Sequence, residues 1–346
     1  MRPESNVVGT STRGPWHLAY RRLRRNRIAL AALFVFALIV LFVLAAPLWA
    51  KHVAQTGPNA THTVGKVTVD NERREVVDPE GKPIGPLWFG AGGKFFLGAD
   101  GRLGRDEMVR LMYGGRTSLL IGLSSALITT TLAVLLGLVA GYRRGWTDAL
   151  ISRGLDVVWA FPVLLLGIAL GTALAVGGLQ IGPVQISGGS ILIPILIIGL
   201  VSVPYMARPI RGEVITLREK EFVEAAVAQG SGPLRVMFGE LLPNLWSTII
   251  VFFTLNIANN MLLEAGLSYL GAGVRPPDSS WGVMVSSGVE SIYTAPLLTI
   301  LPGAMILLTV LSLNVFGDGL RDALDPKSKI RLEARTGIAE PAGTPL

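Results

Sequence analysis

The sequence predicts an all-α polytopic membrane protein with six transmembrane helices and a small extracytoplasmic insertion that contains a β-hairpin. Half of the 346 residues are apolar and only 16% are charged. The apolar residues form blocks of about 20, the length a helix needs to cross a hydrocarbon core of about 30 Å. Apart from the long loop 51–116, in which ten Lys or Arg are offset by eight acidic residues, Lys and Arg are concentrated in alternate connecting segments, as in membrane proteins with a defined orientation.

Six apolar blocks are long enough to span a bilayer. They are 28–50, 117–141, 155–177, 190–207, 246–268 and 295–317. The fourth block is the shortest and contains Pro194 and Pro204, so its ends are the least defined by the pattern. We therefore predict a first transmembrane helix over 28–50 and a core of five helices over 117–317.

The basic residues predict which side each connecting segment occupies. Segments 1–27, 142–154, 208–245 and 318–346 carry 7, 3, 5 and 5 Lys or Arg, whereas the two short loops on the opposite side share only Arg275. Because cytoplasmic loops are enriched in Lys and Arg, we expect both terminal tails and the 208–245 loop to be cytoplasmic in the inner or plasma membrane. The net charge of +7 then reflects orientation, and we predict no nucleic-acid partner.

The external loop 51–116 contains a hairpin pattern. Val64–Val69 and Arg73–Val77 alternate apolar and polar residues on either side of Asp70-Asn71. Two strands alone are marginally stable in water, so we expect the hairpin to lean on the ends of the spans or on another protein.

The end of the same loop, 96–118, predicts an amphipathic helix. Met108, Leu111 and Met112 fall on one face of it. We expect this helix to lie at the outer membrane surface before the second span begins.

Histidine and cysteine are missing from the predicted spans, so neither a Ser–His dyad nor a metal site built on these residues can form there. His17, His52 and His62 all lie outside them, and the chain has no cysteine. The glycine-rich stretch 90–94 does not have the spacing of a phosphate-binding loop. We therefore predict that the chain is not an enzyme, binds no cofactor or metal, and does not hydrolyse ATP by itself.

Ionisable residues inside the spans are also scarce. The predicted spans contain only Asp156 and Glu264, each near a span end where we expect water to reach it. Ion-coupled transporters place such groups within the membrane. The scarcity favours a pathway driven from outside this chain, with an ion-coupled secondary transporter as the alternative.

The fifth block carries a polar stripe. Asn256, Asn260 and Glu264 recur every four residues and share one helix face. They could line a translocation pathway or hydrogen-bond to neighbouring helices, and the two roles can coexist. Small residues in the second and third blocks are expected at close-packed helix contacts; these are Gly122, Ser125, Gly167 and Gly171.

The cytoplasmic loop between the fourth and fifth blocks has the pattern of two capped helices joined by a turn. Gly230 suits the left-handed residue that closes the first helix. Ser231 or Gly232 can cap the second helix, with Pro233 in its first turn, and we expect Pro243 to end it.

This loop resembles the EAA loop of binding-protein-dependent ABC importer permeases. The matching positions are Glu224, Ala225, Ala226, Gly230, Leu242 and Pro243. Glu240 stands where the general pattern has Ile. Three further segments, Leu97–Leu123, Leu267–Gly288 and Asn314–Pro326, are similar to the dipeptide/oligopeptide/nickel branch of these permeases.

The resemblance implies a fold of the type I ABC importer kind and a role as one half of a channel for dipeptides or oligopeptides. The implied partners are a second homologous permease subunit, two cytoplasmic ATPase subunits that carry ATP and Mg, an extracytoplasmic substrate-binding protein, and the lipid bilayer. Nickel or another small solute is the alternative cargo. The implied ATPase-coupling residues are Glu224, Ala225, Ala226, Gly230, Ser231, Leu242 and Pro243. We also expect residues 62–86 to contact the substrate-binding protein or cap the channel mouth.

Overall fold

The computed structural model describes residues 15–69, 72–101 and 103–324, and most of them are helical. The α-helices within this part of the chain are α1 (Pro15–Arg25), α2 (Arg27–Leu44), α3 (Ala46–Trp49), α4 (Glu107–Arg143), α5 (Gly145–Trp159), α6 (Val163–Gly177), α7 (Leu192–Val201), α8 (Val203–Arg218), α9 (Glu221–Ala228), α10 (Pro233–Arg235), α11 (Leu242–Tyr269), α12 (Trp281–Val289) and α13 (Leu297–Leu324). The remaining elements are π-helical turns at Ala50–Ala54 and Val236–Leu241 and two antiparallel hairpins, β1 (Lys66–Val69) with β2 (Glu72–Glu75) and β3 (Leu179–Ile181) with β4 (Val184–Ile186).

Among the described residues, five helical stretches are long and apolar enough to cross a membrane, and the bent pair α5 and α6 makes a sixth when it is counted as one span. The predicted six-helix membrane fold is thereby confirmed, but the third span is bent by 82° and is not one straight helix. The bend lies at Pro162, whose ring disfavours helical backbone at the residue before it.

The fourth span is longer than the hydropathy pattern predicted. Helix α8 continues past residue 207 to Arg218. Arg208 and Arg211 lower the mean hydropathy there, yet Ile210 and Val214 on the other face are fully buried. The helix therefore continues as an amphipathic extension, which a search for uniformly apolar blocks cannot detect.

The prediction of a separate amphipathic helix before the second span is wrong. Helix α4 starts at Glu107 and runs unbroken for 37 residues, with the Asp106 side chain accepting a hydrogen bond from the Val109 backbone N–H at 3.0 Å. Leu111 and Met112 are buried, and the Trp281 indole N–H donates to the Leu111 carbonyl at 2.9 Å. Leu111 packs in one apolar cluster with side chains of α12 and α2, so neighbouring helices cover the face that was predicted to lie on the membrane surface.

Helices α4 and α11 form the centre of the bundle, and glycines bring their neighbours close. A Cβ atom added at Gly122 would lie 2.3 Å from the Met261 side chain of α11. Added Cβ atoms at Gly137 and Gly141 would lie 2.7 Å from Ile210 and Val214 of α8. Similar close approaches occur at the glycines predicted in the third block, Gly167 and Gly171. Small residues therefore set the helix spacing, as expected in membranes.

The predicted hairpin of the insertion before α4 is present as β1 and β2, although its turn, Asp70-Asn71, lies outside the described residues. It leans on its own loop, since Val76, Phe95 and Ala99 form a small buried cluster next to it. The Phe95 backbone N–H donates to the Asp106 carboxylate at 2.7 Å. The same side chain that caps α4 therefore fixes the insertion to the membrane core.

Candidate coupling loop and translocation cleft

The turn between α9 and α10 has a hydrogen-bond pattern that requires glycine. The Ser231 N–H donates to the Ala226 carbonyl at 3.0 Å, and the Gly230 N–H donates to the Val227 carbonyl at 2.9 Å. These two bonds form a Schellman motif, which places Gly230 in the left-handed region at φ +83°. An added Cβ atom would meet nothing within 4 Å. Glycine is therefore needed at this position for its backbone conformation and not for space.

The second half of the loop differs from the predicted short helix. Gly232 precedes Pro233 as the N-cap residue, in extended conformation. From Pro233 the chain stays helical through the π-helical turn into α11, so Pro243 lies in the first turn of α11 and does not end a helix. The π-turn accommodates the proline because the Leu242 backbone N–H donates to the Met237 carbonyl, five residues back. The side-chain amide of Asn244 also donates to the Glu240 carbonyl at 2.6 Å.

One side of this loop is buried against the membrane core. Val223, Val236, Met237 and Leu241 belong to one apolar cluster with side chains of α4, α8 and α11. Ala226 is also buried, and Leu242 packs against the same cluster. The loop is consequently part of the same packed body as these spans.

The other side of the loop is exposed and carries apolar side chains. Glu224, Ala225 and Pro243 are exposed, and Ser231 is half-buried. Among the large apolar residues, Leu234 is 68% exposed, Val227 51% and Phe238 48%. Several large apolar side chains exposed on one polar loop favour a protein-contact surface.

Two arginine contacts that the sequence analysis missed tie the loop to the end of α4. The Arg218 guanidinium donates to the Tyr142 carbonyl at 2.7 Å, and Arg144 pairs with Glu219 at 2.7 Å. Both pairs join residues more than one helix apart in sequence. Their chemistry is visible in the sequence, but their pairing depends on the packing of α4 on α8.

Glu264 is not near water, contrary to the prediction for its span end. It is 1% exposed, and its carboxylate accepts hydrogen bonds from the Ser118 hydroxyl at 2.9 Å and the Ser268 hydroxyl at 2.7 Å. The backbone N–H of Trp281 donates to the Ser118 hydroxyl at 3.2 Å. The connection 270–280 and α12 cover this end of α11, which is why the side chain is buried.

The other two residues of the stripe also contact neighbouring helices. The Asn260 side-chain oxygen accepts from the Ser202 hydroxyl at 2.9 Å, and its nitrogen donates to the Ser125 hydroxyl at 3.1 Å. The Asn256 amide donates to the Met206 sulfur at 3.3 Å. The stripe therefore joins α11 to α4, α8 and the α7–α8 junction at Ser202.

A cleft of about 420 Å³ lies beside the stripe, between α6, α8 and α11. Its walls are apolar at Val163, Leu164, Leu262 and Leu263, and polar at Ser202, Tyr205, Asn256, Asn259 and Asn260. Asn259 was missed by the sequence analysis and is exposed in the middle of α11. The signal that could have found it is the consecutive Asn259-Asn260 pair inside an apolar block, because exposed amides are unfavourable towards lipid.

Aromatic and charged side chains lie at one edge of this cleft. The rings of Tyr205 and Trp159 meet edge to face at 5.4 Å, and the Arg208 guanidinium lies 3.7 Å from the centre of the Trp159 ring. Arg208 also pairs with Asp156 at 2.7 Å. Asp156, the other predicted ionisable residue, thus holds α5 against α8 beside the bend of the third span.

Known proteins are similar in sequence to almost the whole chain. Residues 133–330 match the family model described as binding-protein-dependent transport system inner membrane component, and residues 14–62 match the N-terminal transmembrane domain of oligopeptide transport permease C. A dipeptide transport system permease protein of Alkalihalophilus pseudofirmus is 36% identical over 328 residues, which is 94% of each chain. The chain belongs to the binding-protein-dependent transport permease family.

Other relatives of this permease agree with the predicted branch. A glutathione transport system permease protein of Pectobacterium atrosepticum is 35% identical over 319 residues, 92% of this chain and 93% of the relative. A di/tripeptide transport system permease protein of Pseudomonas aeruginosa is 42% identical over 245 residues, 70% and 76% of the two chains. Membership of the peptide/nickel branch is thereby confirmed.

The fold is also similar to a solved structure. An inward-facing form of the MetNI methionine ABC transporter aligns with a TM-score of 0.52 over 63% of this chain and 97% of that chain. At 15% identity the similarity concerns the fold alone. The permease is therefore a multi-pass inner-membrane transport subunit with the ABC importer fold, and the family match over 133–330 includes both the loop and the cleft.

Proposed function

We propose that this permease forms half of the translocation channel of an ATP-driven peptide importer. A second homologous permease subunit supplies the other half, and two cytoplasmic ATPase subunits bind ATP and Mg. An extracytoplasmic binding protein delivers the substrate. This chain binds no cofactor of its own and transmits the work of the ATPases through the loop around Glu224 and Gly230.

The observation that carries this proposal is the two-sided coupling loop. Its outer side presents Val227, Leu234 and Phe238 to a partner, whereas its inner side shares one apolar cluster with α4, α8 and α11. A displacement of the exposed side of the loop by a partner is thus transmitted to α8 and α11, which border the cleft. Movement of such packed elements between two arrangements is what alternating access requires.

The substrate class is proposed from the relatives and from the chemistry of the cleft. The relatives named above are permeases for dipeptides, di/tripeptides and glutathione, all of them peptides. The polar lining of the cleft consists of amides and hydroxyls, which can hydrogen-bond to peptide groups of any sequence. Nickel or another small solute is the alternative cargo on this scaffold. An ion-coupled mechanism is disfavoured because Glu264 and Asp156 are both engaged within the fold.

Reconstitution tests the function. The permease pair, the ATPase pair and the binding protein are placed in proteoliposomes, and uptake of a labelled dipeptide and of a nickel salt is measured with and without ATP. We expect dipeptide uptake that requires both ATP and the binding protein. Uptake driven by a proton gradient without ATP, or uptake of nickel alone, would contradict the proposal.

Asn259 and Asn260 are expected to respond differently to mutation. Asn259→Leu should reduce uptake and leave the melting temperature unchanged, because this side chain faces the cleft. Asn260→Leu should lower stability by roughly 1–3 kcal/mol, because it leaves buried hydroxyls such as that of Ser202 without their partner. Uptake and thermal melting of the same purified complexes separate the two effects. Normal uptake by Asn259→Leu would show that the cleft is not part of the translocation pathway.

The orientation can be measured directly because the chain has no cysteine. We propose that both termini and the coupling loop are cytoplasmic and that the insertion is external. A cysteine at Thr63 should react with a membrane-impermeant maleimide in intact cells, whereas a cysteine at Gln229 should react only after permeabilisation. Both native side chains are exposed in the chain, and the permease is expressed without its ATPase partners so that no subunit covers Gln229. The reverse labelling pattern would show that the chain has the opposite orientation in the membrane.

The hairpin of the insertion is proposed to contact the substrate-binding protein or to cap the channel mouth. All four residues of β2 are exposed and charged. Replacing Lys66–Glu75 with a Gly/Ser linker leaves Val76 and Phe95 in place, so the core should still assemble. We expect stimulation of ATP hydrolysis by the binding protein to fall while basal hydrolysis stays unchanged. Full stimulation and uptake would show that the hairpin serves only as packing.

A further inference from the structure

A cluster of arginines lies directly before the first membrane span. Arg21, Arg22, Arg24 and Arg25 belong to α1, and Arg27 is the first residue of α2. Arg21, Arg24, Arg25 and Arg27 are exposed. We call α1 and Arg27 the basic collar.

The basic collar is held in a fixed place by the fold. Helix α1 packs against α13 and α2, and the Arg22 guanidinium reaches the Ala323 carbonyl at 3.5 Å. The Asn26 side chain caps α2 by accepting from the Ala29 N–H at 3.1 Å. An added Cβ atom at Gly319 of α13 would lie 2.3 Å from that of Ala29. The exposed arginines are therefore carried on a docked helix at a defined distance from the membrane core.

The depth of the basic collar follows from the first turns of α2. Ile28 is 73% and Phe34 64% exposed, so lipid-facing apolar surface begins immediately after Arg27. Arg21 is six residues before Arg27, at most about 9 Å along a helix. The headgroup layer is about 5 to 8 Å thick on each side of the hydrocarbon core. The arginines consequently lie at the level of the lipid phosphates.

In the described part of the chain, positive charge predominates on this surface. Asp318 and Asp322 at the adjoining end of α13 are the acidic residues of that helix end, against five arginines in the basic collar. Basic residues immediately next to a span attract anionic headgroups. Guanidinium groups also match phosphate oxygens in a bidentate geometry.

We propose that the basic collar binds anionic phospholipid headgroups, and that the bound lipid holds α1 against the end of α13. This interaction is a stabilising contact beyond the role of positive residues in orientation. It concerns lipid and is independent of which solute the permease carries.

Nanodiscs test the proposal, because both leaflets can be given one composition and the result does not depend on orientation. The purified complex is melted in phosphatidylcholine discs and in discs that also contain phosphatidylglycerol. We expect the anionic lipid to raise the melting temperature of the wild type by several degrees, and high salt to reduce this shift. The variant with Arg21→Gln, Arg24→Gln and Arg25→Gln should lose the shift, whereas the corresponding Arg→Lys variant should keep most of it.

A matched control removes the same charge elsewhere. Arg73→Gln, Lys82→Gln and Lys94→Gln alter exposed residues of the external insertion and should leave the shift intact. An equal shift in the wild type and the glutamine variant of the basic collar would overturn the proposal. Stabilisation by an RNA oligonucleotide equal to that by phosphatidylglycerol would also overturn it, since it would indicate general polyanion binding.

Discussion

Replacing Gly230 with valine is expected to reduce ATP-driven uptake roughly 5- to 30-fold while the permease remains in the membrane at normal levels. The φ of +83° at Gly230 lies in the left-handed region, where a residue with a Cβ is less stable by about 1–2 kcal/mol. A difference of that size lowers the population of loops that form the Schellman turn at Gly230 by roughly 5- to 30-fold. The buried side of the loop is unchanged, so the helical core should still fold. Uptake and substrate-stimulated ATP hydrolysis by the reconstituted complex measure the effect.

The surroundings of Gly230 offer sharp controls. Gly232→Ser places a side chain two residues away, at φ −70° and with nothing within 4 Å, and should be nearly neutral because serine is also favoured at a helix N-cap. Gly230→Asn should recover much of the activity, since Asn adopts the left-handed conformation more readily than other residues with a side chain. If the valine and asparagine variants lose activity equally, the side chain itself disturbs the docking surface and the backbone explanation fails. If Gly230→Val couples ATP hydrolysis to uptake as well as the wild type does, the loop does not transmit the work of the ATPases as proposed.

Replacing Gly141 with alanine is expected to lower the stability of the permease by about 1–3 kcal/mol, the usual effect of overpacking a close contact. The added Cβ atom would lie 2.7 Å from the Val214 side chain and 2.9 Å from the Arg211 carbonyl. Helices α4 and α8 must then separate at the point where Arg218 and Arg144 connect them to the coupling loop. We expect a lower melting temperature, less permease in the membrane and, in the surviving complex, weaker coupling of ATP hydrolysis to uptake.

The same helix pair provides a control of opposite sign. Gly212 lies in the interior of α8, but an added Cβ atom meets nothing within 4 Å. Gly212→Ala should therefore be neutral or stabilising by up to about 1 kcal/mol, because alanine favours helix more than glycine does. Equal melting temperatures for Gly141→Ala and Gly212→Ala would show that the close contact between α4 and α8 is not needed.

Properties that depend on neighbouring residues could be predicted from the sequence. Apolar block length identified the spans, because crossing a hydrocarbon core requires a minimum helix length. Alternation of residue types identified the β1–β2 hairpin, and the glycine at the end of α9 identified the loop closure at Gly230. Two predictions were wrong at prolines: Pro243 does not end a helix, and the third span is bent at Pro162. The effect of a proline on a helix depends on whether neighbouring backbone hydrogen bonds can rearrange around it.

Properties that depend on which helix faces meet were decided only by the tertiary structure. Ser118 and Glu264 are 146 residues apart, yet their contact removes from water a carboxylate that the sequence placed near a span end. Asn260 is buried by helices on one side of α11, whereas its neighbour Asn259 is exposed beside the cleft. Helical periodicity places two residues on different faces, but it does not specify what covers each face. That choice follows from the packing of α4, α8 and α12 around α11, which is set by small residues and hydrogen bonds distributed over the whole chain.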